Sequence, residues 1–175
     1  MRWEALFADL EVQTSALRQE EFEFGVAETI ALEWSRAELT DRLRGHIGEQ
    51  LAIRLRGGEV VPLEITAAGS DWVSGVGRGH QWLMPVAVLE LVSGMTRRVQ
   101  VESSPARRRL GIASPLRALA EADPHIAVHC ASGVLVEGRL LGIGRDFLDI
   151  RPEGQFRRVQ TVPLPVMTAV RSARV

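Results

Sequence analysis

The chain contains no lysine and no tyrosine, and Cys130 is its single cysteine. One thiol can neither close an internal disulfide nor build a thiolate metal cluster, so neither device holds this fold together. Long apolar runs are missing too: charges or glycines interrupt every hydrophobic stretch before the roughly 18 residues that a membrane span needs. The start, Met1-Arg2-Trp3-Glu4, lacks the basic region and apolar middle of a signal peptide, from which a cytoplasmic location is expected. His46, His80, His125 and His129 are scattered, and His129 and Cys130, adjacent in a strand pattern, point to opposite faces, which argues against a shared metal. No metal site and no cofactor are expected. Catalytic signatures are also lacking. No nucleophile elbow occurs, and Gly75-Val76-Gly77-Arg78-Gly79 precedes a strand rather than a helix, so it fails as a phosphate loop. The expectation is a protein that is not an enzyme.

What is present is the composition of a globular protein: 175 residues, 46% hydrophobic, with a net charge of −1. That near-neutral sum hides an asymmetry. Residues 1–50 hold eleven acids against five arginines, net −6, whereas residues 95–175 hold thirteen arginines against seven acids, net +6. The two ends either attract each other, within one chain or between two, or are simply solvated faces. The all-arginine usage reads as codon bias of a GC-rich genome, although arginine forks also suit phosphate and carboxylate.

Apolar Trp3, Leu6, Phe7 and Leu10 fall at helical spacing, continued by Leu17 and Phe24, and predict an amphipathic helix that Gly25 kinks or ends. Val26, Ile30 and Trp34 extend the pattern, making residues 1–34 a helical segment able to pair with another copy or pack on its own chain. Ser35 and Glu38 have the spacing of a capping box for a helix over Arg36–Ile47 that stops at Gly48. From Glu49 the period becomes two, and five strands are predicted: one through Leu51, Ile53 and Leu55, then Val60–Ala67, Asp71–Val76, Gln81–Met84 and Leu89–Val92.

An internal repeat decides the architecture. A shift of 75 places Leu51-Ala52-Ile53 on Ile126-Ala127-Val128, Gly58 on Gly133, Ile65 on Leu140, and Gly69 to Val73 on Gly144 to Leu148. After a three-residue insertion the shift is 78, and Pro85, Val88, Leu89 and Val92 meet Pro163, Val166, Met167 and Val170. Every match is a glycine, a proline or an inward apolar position, apart from the acid pair Asp71 and Asp146 at one corner. The organisation expected is therefore a first β unit at 35–94, an arginine-rich linker at 95–113 and a second unit at 114–175. Ser114-Pro115 supplies an N-cap and first-turn proline for the second leading helix, through Ala122.

The run from Val128 to Leu140, with Gly133 and Gly138, followed by Gly144-Arg145-Asp146-Phe147-Leu148, resembles the first motif of the Sm-like family. An apolar strand leads to a glycine turn, a second glycine precedes an apolar residue, and an acid sits near the next corner; the bacterial RNA-chaperone branch has a similar cadence. The first copy matches at Gly58, Ile65, Asp71 and Trp72, but Pro62 and Leu63 stand where the second glycine would be. The resemblance implies a mainly β fold of two tandem five-stranded Sm-like barrels, each preceded by a helix, and a binding role. Family members bind RNA through an asparagine after the acid and an arginine-glycine pair in the last loop. Here Ser74 or Val76, and Asp149 or Arg151, hold the first place, and Ser93-Gly94 and Arg171-Ser172 the second, so that pocket is not recognisable. The layout, beginning Met-Arg-Trp-Glu-Ala-Leu-Phe-Ala-Asp-Leu, also resembles uncharacterised actinobacterial proteins sometimes labelled Fis-type regulators, though no helix-turn-helix supports that label.

Two readings of function follow. In the first, Arg97, Arg98, Arg107, Arg108 and Arg109 of the linker, with Arg145, Arg157 and Arg158, contact the phosphates of RNA or DNA while Trp72 and Phe147 stack on bases. Solvated arginines and aromatics that fill a barrel end are the plainer account of the same residues. In the second, barrel edges and the N-terminal helix assemble protomers or protein partners.

Overall fold

The computed structural model describes residues 32, 34–121, 125–153 and 158–174, with the side chains of 173 and 174 excepted. The helix expected from Trp3 to Phe24, and its continuation through Ile30, lie outside the described residues. Glu38–Val175 form one compact unit.

The first helix, α1, spans Leu39–Arg44, shorter than the sequence pattern suggests. Ser35 does not cap it: the residue lies in the preceding helical turn, where its Oγ donates to Leu32 O (2.7 Å). Glu38, in extended backbone, takes the N-cap position and its carboxylate makes no cap bond. The capping-box expectation is thus corrected: an N-cap has extended backbone and directly precedes the first turn it serves, whereas Ser35 is helical and stands three residues before the N-cap position.

Ten strands follow: β1 Gln50–Leu55, β2 Val60–Ala68, β3 Trp72–Gly77, β4 His80–Pro85, β5 Leu89–Ser93, β6 His125–Cys130, β7 Leu135–Ile143, β8 Phe147–Pro152, β9 Gln160–Pro163 and β10 Met167–Arg174. Between β5 and β6 lie two helices, α2 over Pro105–Arg108 and α3 over Ala113–Glu121. Burial alternates along β1 and β7 with the period of two read from the sequence.

The repeat is reproduced pair by pair. Val73 faces Met84 as Leu148 faces Val162, and Ile53 faces Val92 as Val128 faces Val170. Even the irregularity between Ile65 and Ala67 recurs between Leu140 and Gly142. Each repeat therefore has its strands in the order fifth, first, second, third, fourth.

The repeats do not, however, stand as two separate barrels. All ten strands form one open antiparallel sheet, in the order β5-β1-β2-β3-β4-β10-β6-β7-β8-β9. The joint is β4 against β10, with Leu83 opposite Val170 and Trp82 opposite Arg171. The two cores interlock across it: Ala169 of the second repeat belongs to the core of Leu51, Ile53 and Met84, and Leu83 of the first belongs to the core of Val128, Leu140 and Ile150.

The mismatch at Pro62-Leu63 has a steric explanation. In the second repeat β7 crosses β8 closely at Gly138, where a Cβ would lie 2.2 Å from Arg151 O. In the first repeat the glycines sit on the other strand: a Cβ on Gly75 would lie 2.3 Å from Glu64 O, and one on Gly77 2.2 Å from Pro62 O. Each crossing needs glycine on one side only.

Ser114 also proves not to be an N-cap, since α3 already starts at Ala113. The donor at its entry, Ile112 N–H, is taken by Asp71 Oδ1 at 2.7 Å, a residue of the first repeat. Asp71, the corner acid of the first repeat, thus makes a long-range contact.

These contacts separate two glycines of one strand. Gly138→Ala should lower unfolding stability by about 1–3 kcal/mol, the usual cost of overpacking, while Gly142→Ala, which meets nothing within 4 Å, should leave it nearly unchanged. Urea unfolding midpoints of the two variants check this.

Candidate interaction surfaces

Trp72 and Phe147 occupy equivalent corners, and in each the ring lies against a glycine. A Cβ on Gly69 would meet Trp72 Nε1 at 2.1 Å, and one on Gly144 would meet Phe147 Cε1 at 2.3 Å. Trp72 is half-buried against the second core, with Nε1 donating to Leu110 O (3.0 Å). Phe147 keeps 37% of its surface exposed. The structure does not bring the two rings together into one platform: each closes the corner of its own repeat.

The linker is held along its length. Thr96 N–H donates to His46 Nε2 (2.8 Å), Gln100 N–H to Asp41 O (3.0 Å), and both Ser70 Oγ and Trp72 Nε1 to Leu110 O. His46 is fully buried, and its Nδ1–H donates to Arg42 O at 2.7 Å. Buried Arg44 donates to Gln100 O, Ala68 O and Gly69 O and pairs with Asp41 at 2.5 Å. The linker's backbone is fixed while its arginines point outward. Arg97, Arg98, Arg107, Arg108 and Arg109 are all exposed, Arg98 paired with Glu49 and Arg108 donating to Glu102 O. Arg107, Arg108 and Arg109 sit at α2, whose Ser104 cap accepts from Arg107 N–H. Arg145 and Arg158 are exposed in the second repeat, and Arg157 lies outside the described residues.

Around the joint, side chains of both repeats meet. The ring centroids of Trp82 and His129 are 5.2 Å apart, and the Arg171 guanidinium lies 6.0 Å above the Trp82 ring. Arg171 pairs with Glu137 (3.2 Å), and His129 Nδ1 with Glu59 Oε2 of the first repeat (3.3 Å). Burial beside Trp82 and the nearby Arg171 charge hold the His129 pKa below the ordinary 6.5, outweighing the opposing pull of Glu59. Burial likewise pushes the Cys130 thiol up.

Two edges remain. Among the described residues, β5 is paired on one side only, by β1, and β9 on one side only, by β8. Leu91 on β5 and Val159 beside β9 are exposed apolar residues at these edges, 54% and 47% accessible.

Sequence reasoning missed this joint and the structural role of His46. One signal for the joint was there. Trp82-Leu83-Met84 is a run of large apolar residues in a strand that elsewhere alternates, and all three are buried because both faces of β4 meet a core. His46 offered no comparable signal, since its partner Thr96 is fifty residues away.

Among the described residues no three of His, Cys, Asp and Glu converge to hold a metal ion, and no helix is long and apolar enough to cross a membrane. No protein-family model matches the chain, and no curated protein matches it either.

The His129 setting predicts a pH dependence. A histidine with a lowered folded pKa binds its proton more readily when unfolded, so stability is full above pH about 6.5 and falls as pH drops through the folded pKa. Denaturant unfolding at neutral and mildly acidic pH should show this loss in the native chain, and His129→Gln should lose measurably less. An equal loss in both would remove His129 as the cause.

Proposed function

We propose that this chain is a non-enzymatic assembly module that joins copies of itself head to tail through its free edge strands. One observation carries the reading: the chain already contains one such joint. β4, the fourth strand of the first repeat, pairs with β10, the fifth strand of the second. The strands left over are β5, the fifth of the first repeat, and β9, the fourth of the second. They are the complementary halves of the same joint.

Carrying the internal register across by the repeat shifts sets Val92 opposite Thr161 and Ser93 opposite Gln160, the counterparts of Val170 with Leu83 and Arg171 with Trp82. Such a contact is heterologous and generates a closed ring or an open filament. Exposed edges are otherwise a liability, and pairing is one way proteins dispose of them. The Sm-like reading of each repeat draws support from the same strand order, with β5 folded back onto β1 and no pairing between β4 and β5.

A second reading rests on the exposed arginines at α2: Arg107, Arg108 and Arg109 present three guanidinium groups on a pinned backbone and would contact the phosphates of RNA or DNA without reading sequence.

Sedimentation velocity tests assembly. The native chain should sediment above its 19.3 kDa monomer mass, and Ser93→Glu with Gln160→Glu in one chain, which sets like charges opposite each other, should return it to monomer. Ser93→Arg with Gln160→Glu should restore the larger species. A native chain that stays monomeric up to high micromolar concentration would sink the proposal. For the second reading, replacing Arg107, Arg108 and Arg109 by alanine should reduce the slope of log affinity against log salt for mixed oligonucleotides by about 2–3; an unchanged slope removes those residues from any interface.

A further inference from the structure

Beside the internal joint, a cleft of about 430 Å³ opens between α3 and the outer face of β3 and β4. It exists because the sheet is continuous. The face of β4 that carries Gln81 and Leu83 is solvent-side for the first repeat, yet runs directly into Val170 and Ile126 of the second core, and α3 overhangs it with Pro115, Ala118 and Leu119.

The chemistry of the lining selects an occupant. Among the described residues that line the cleft, none is charged. Both tryptophan N–H groups are engaged elsewhere, Trp72 Nε1 with Leu110 O and Trp82 Nε1 with Gly77 O, so the indoles offer the cleft only hydrocarbon. Thr66 and Ser74 hydroxyls bond each other at 3.1 Å. An ionic ligand would lose hydration here and find no countercharge, whereas an apolar one would lose only its contact with water. A volume of this size falls within the range of small-molecule sites.

The repeat shows that this neutrality is not imposed by the fold. Ser74 and Val76 correspond by the shift of 75 to Asp149 and Arg151, so the second repeat carries an ion-bearing face where the first carries a neutral one. At the internal joint, neutral lining and the overhanging helix coincide.

We propose that this cleft binds an uncharged, mainly apolar small molecule, its hydrocarbon body between the β3–β4 face and α3 and its polar end at the Gln81 carboxamide. The site lies within one chain and does not depend on assembly.

The neutral fluorophore N-phenyl-1-naphthylamine serves as the probe, added to the full chain and competed with three ligands of equal chain length. Its emission should rise on binding and be reversed by 1-octanol, with octanoate and octylammonium much weaker. Ala118→Trp, which fills the cleft from an exposed helix position, and Val76→Arg, which installs the second repeat's own residue, should each weaken probe binding by about tenfold or more. Melting temperatures establish that each variant is folded, and where one is not, the other decides. No probe binding by the native chain, displacement by octanoate as strong as by 1-octanol, or unchanged binding in a folded variant would each overturn the proposal. Displacement by apolar peptides but not by 1-octanol would also overturn it and assign the cleft to a protein partner.

Discussion

The ladder between β4 and β10 is the constraint on which the rest of the molecule depends. It turns two five-stranded repeats into one sheet and, by doing so, gives both faces of each joining strand a core to enter. Trp82 and Met84 enter the first core and Leu83 the second; Ala169 crosses in the opposite sense. Parting the ladder would leave Leu83 and Ala169 outside the cores they fill and strip Trp82 of His129 and Arg171. The hydrophobic effect thus penalises separation beyond the loss of ladder hydrogen bonds. The joint also links residues nearly ninety positions apart, Trp82 with Arg171. Contacts of that separation carry a large loop-closure entropy and slow folding.

The linker makes sense as a consequence of that joint. With the repeats docked, residues 95–112 must travel from the end of β5 to the start of α3 along the first repeat, and they do so bonded to His46, Asp41, Arg44, Ser70 and Trp72. Asp71 then takes the Ile112 amide at the threshold of α3. Buried polar groups find part of their bonding in this strap: His46 Nε2 meets Thr96 N–H while Nδ1 meets Arg42 O, and Arg44 reaches Gln100 O besides Ala68 O, Gly69 O and Asp41. Some of the arginines that give this stretch its charge also help to hold it, Arg98 through Glu49 and Thr96 Oγ1 and Arg108 through Glu102 O.

Strands and repeat were legible in the amino-acid sequence because both are written in local terms. Alternating apolar residues marked β1, the shift of 75 aligned its glycines and apolar positions with those of β6 and β7, and the later shift of 78 gave the true register of β9 and β10. What was not legible is what depends on distant partners. A capping box at Ser35 is a reasonable local reading, yet the backbone is still helical there and the next helix starts only at Leu39. The absent glycine at Leu63 looked like a departure from the repeat because the compensating Gly77 lies on the neighbouring strand. The joint left its trace only in the unbroken apolar run at Trp82-Leu83-Met84. Of the candidate site residues, the rings of Trp72 and Phe147 were rightly paired as equivalents, but glycine packing rather than stacking accounts for one face of each.

A duplicated chain with one internal joint is not equivalent to two copies of a single repeat. The internal joint is built between different sequences and is free to diverge from the outer one, and it has. Trp82, Arg171 and His129 furnish the inner contact, whereas the corresponding outer positions are Gln160, Ser93 and Arg54, smaller or more polar and without an aromatic ring. The inner contact is interlocked, and the outer edges offer mainly backbone, with Leu91 and Val159 as their apolar component. A backbone ladder with little side-chain burial is the kind of contact that forms and parts with concentration, while an interlocked core is not. On the assembly proposed above, duplication separates two demands that a single repeat would have to meet with one surface: a permanent joint, placed inside the chain, and a reversible one between free edge strands.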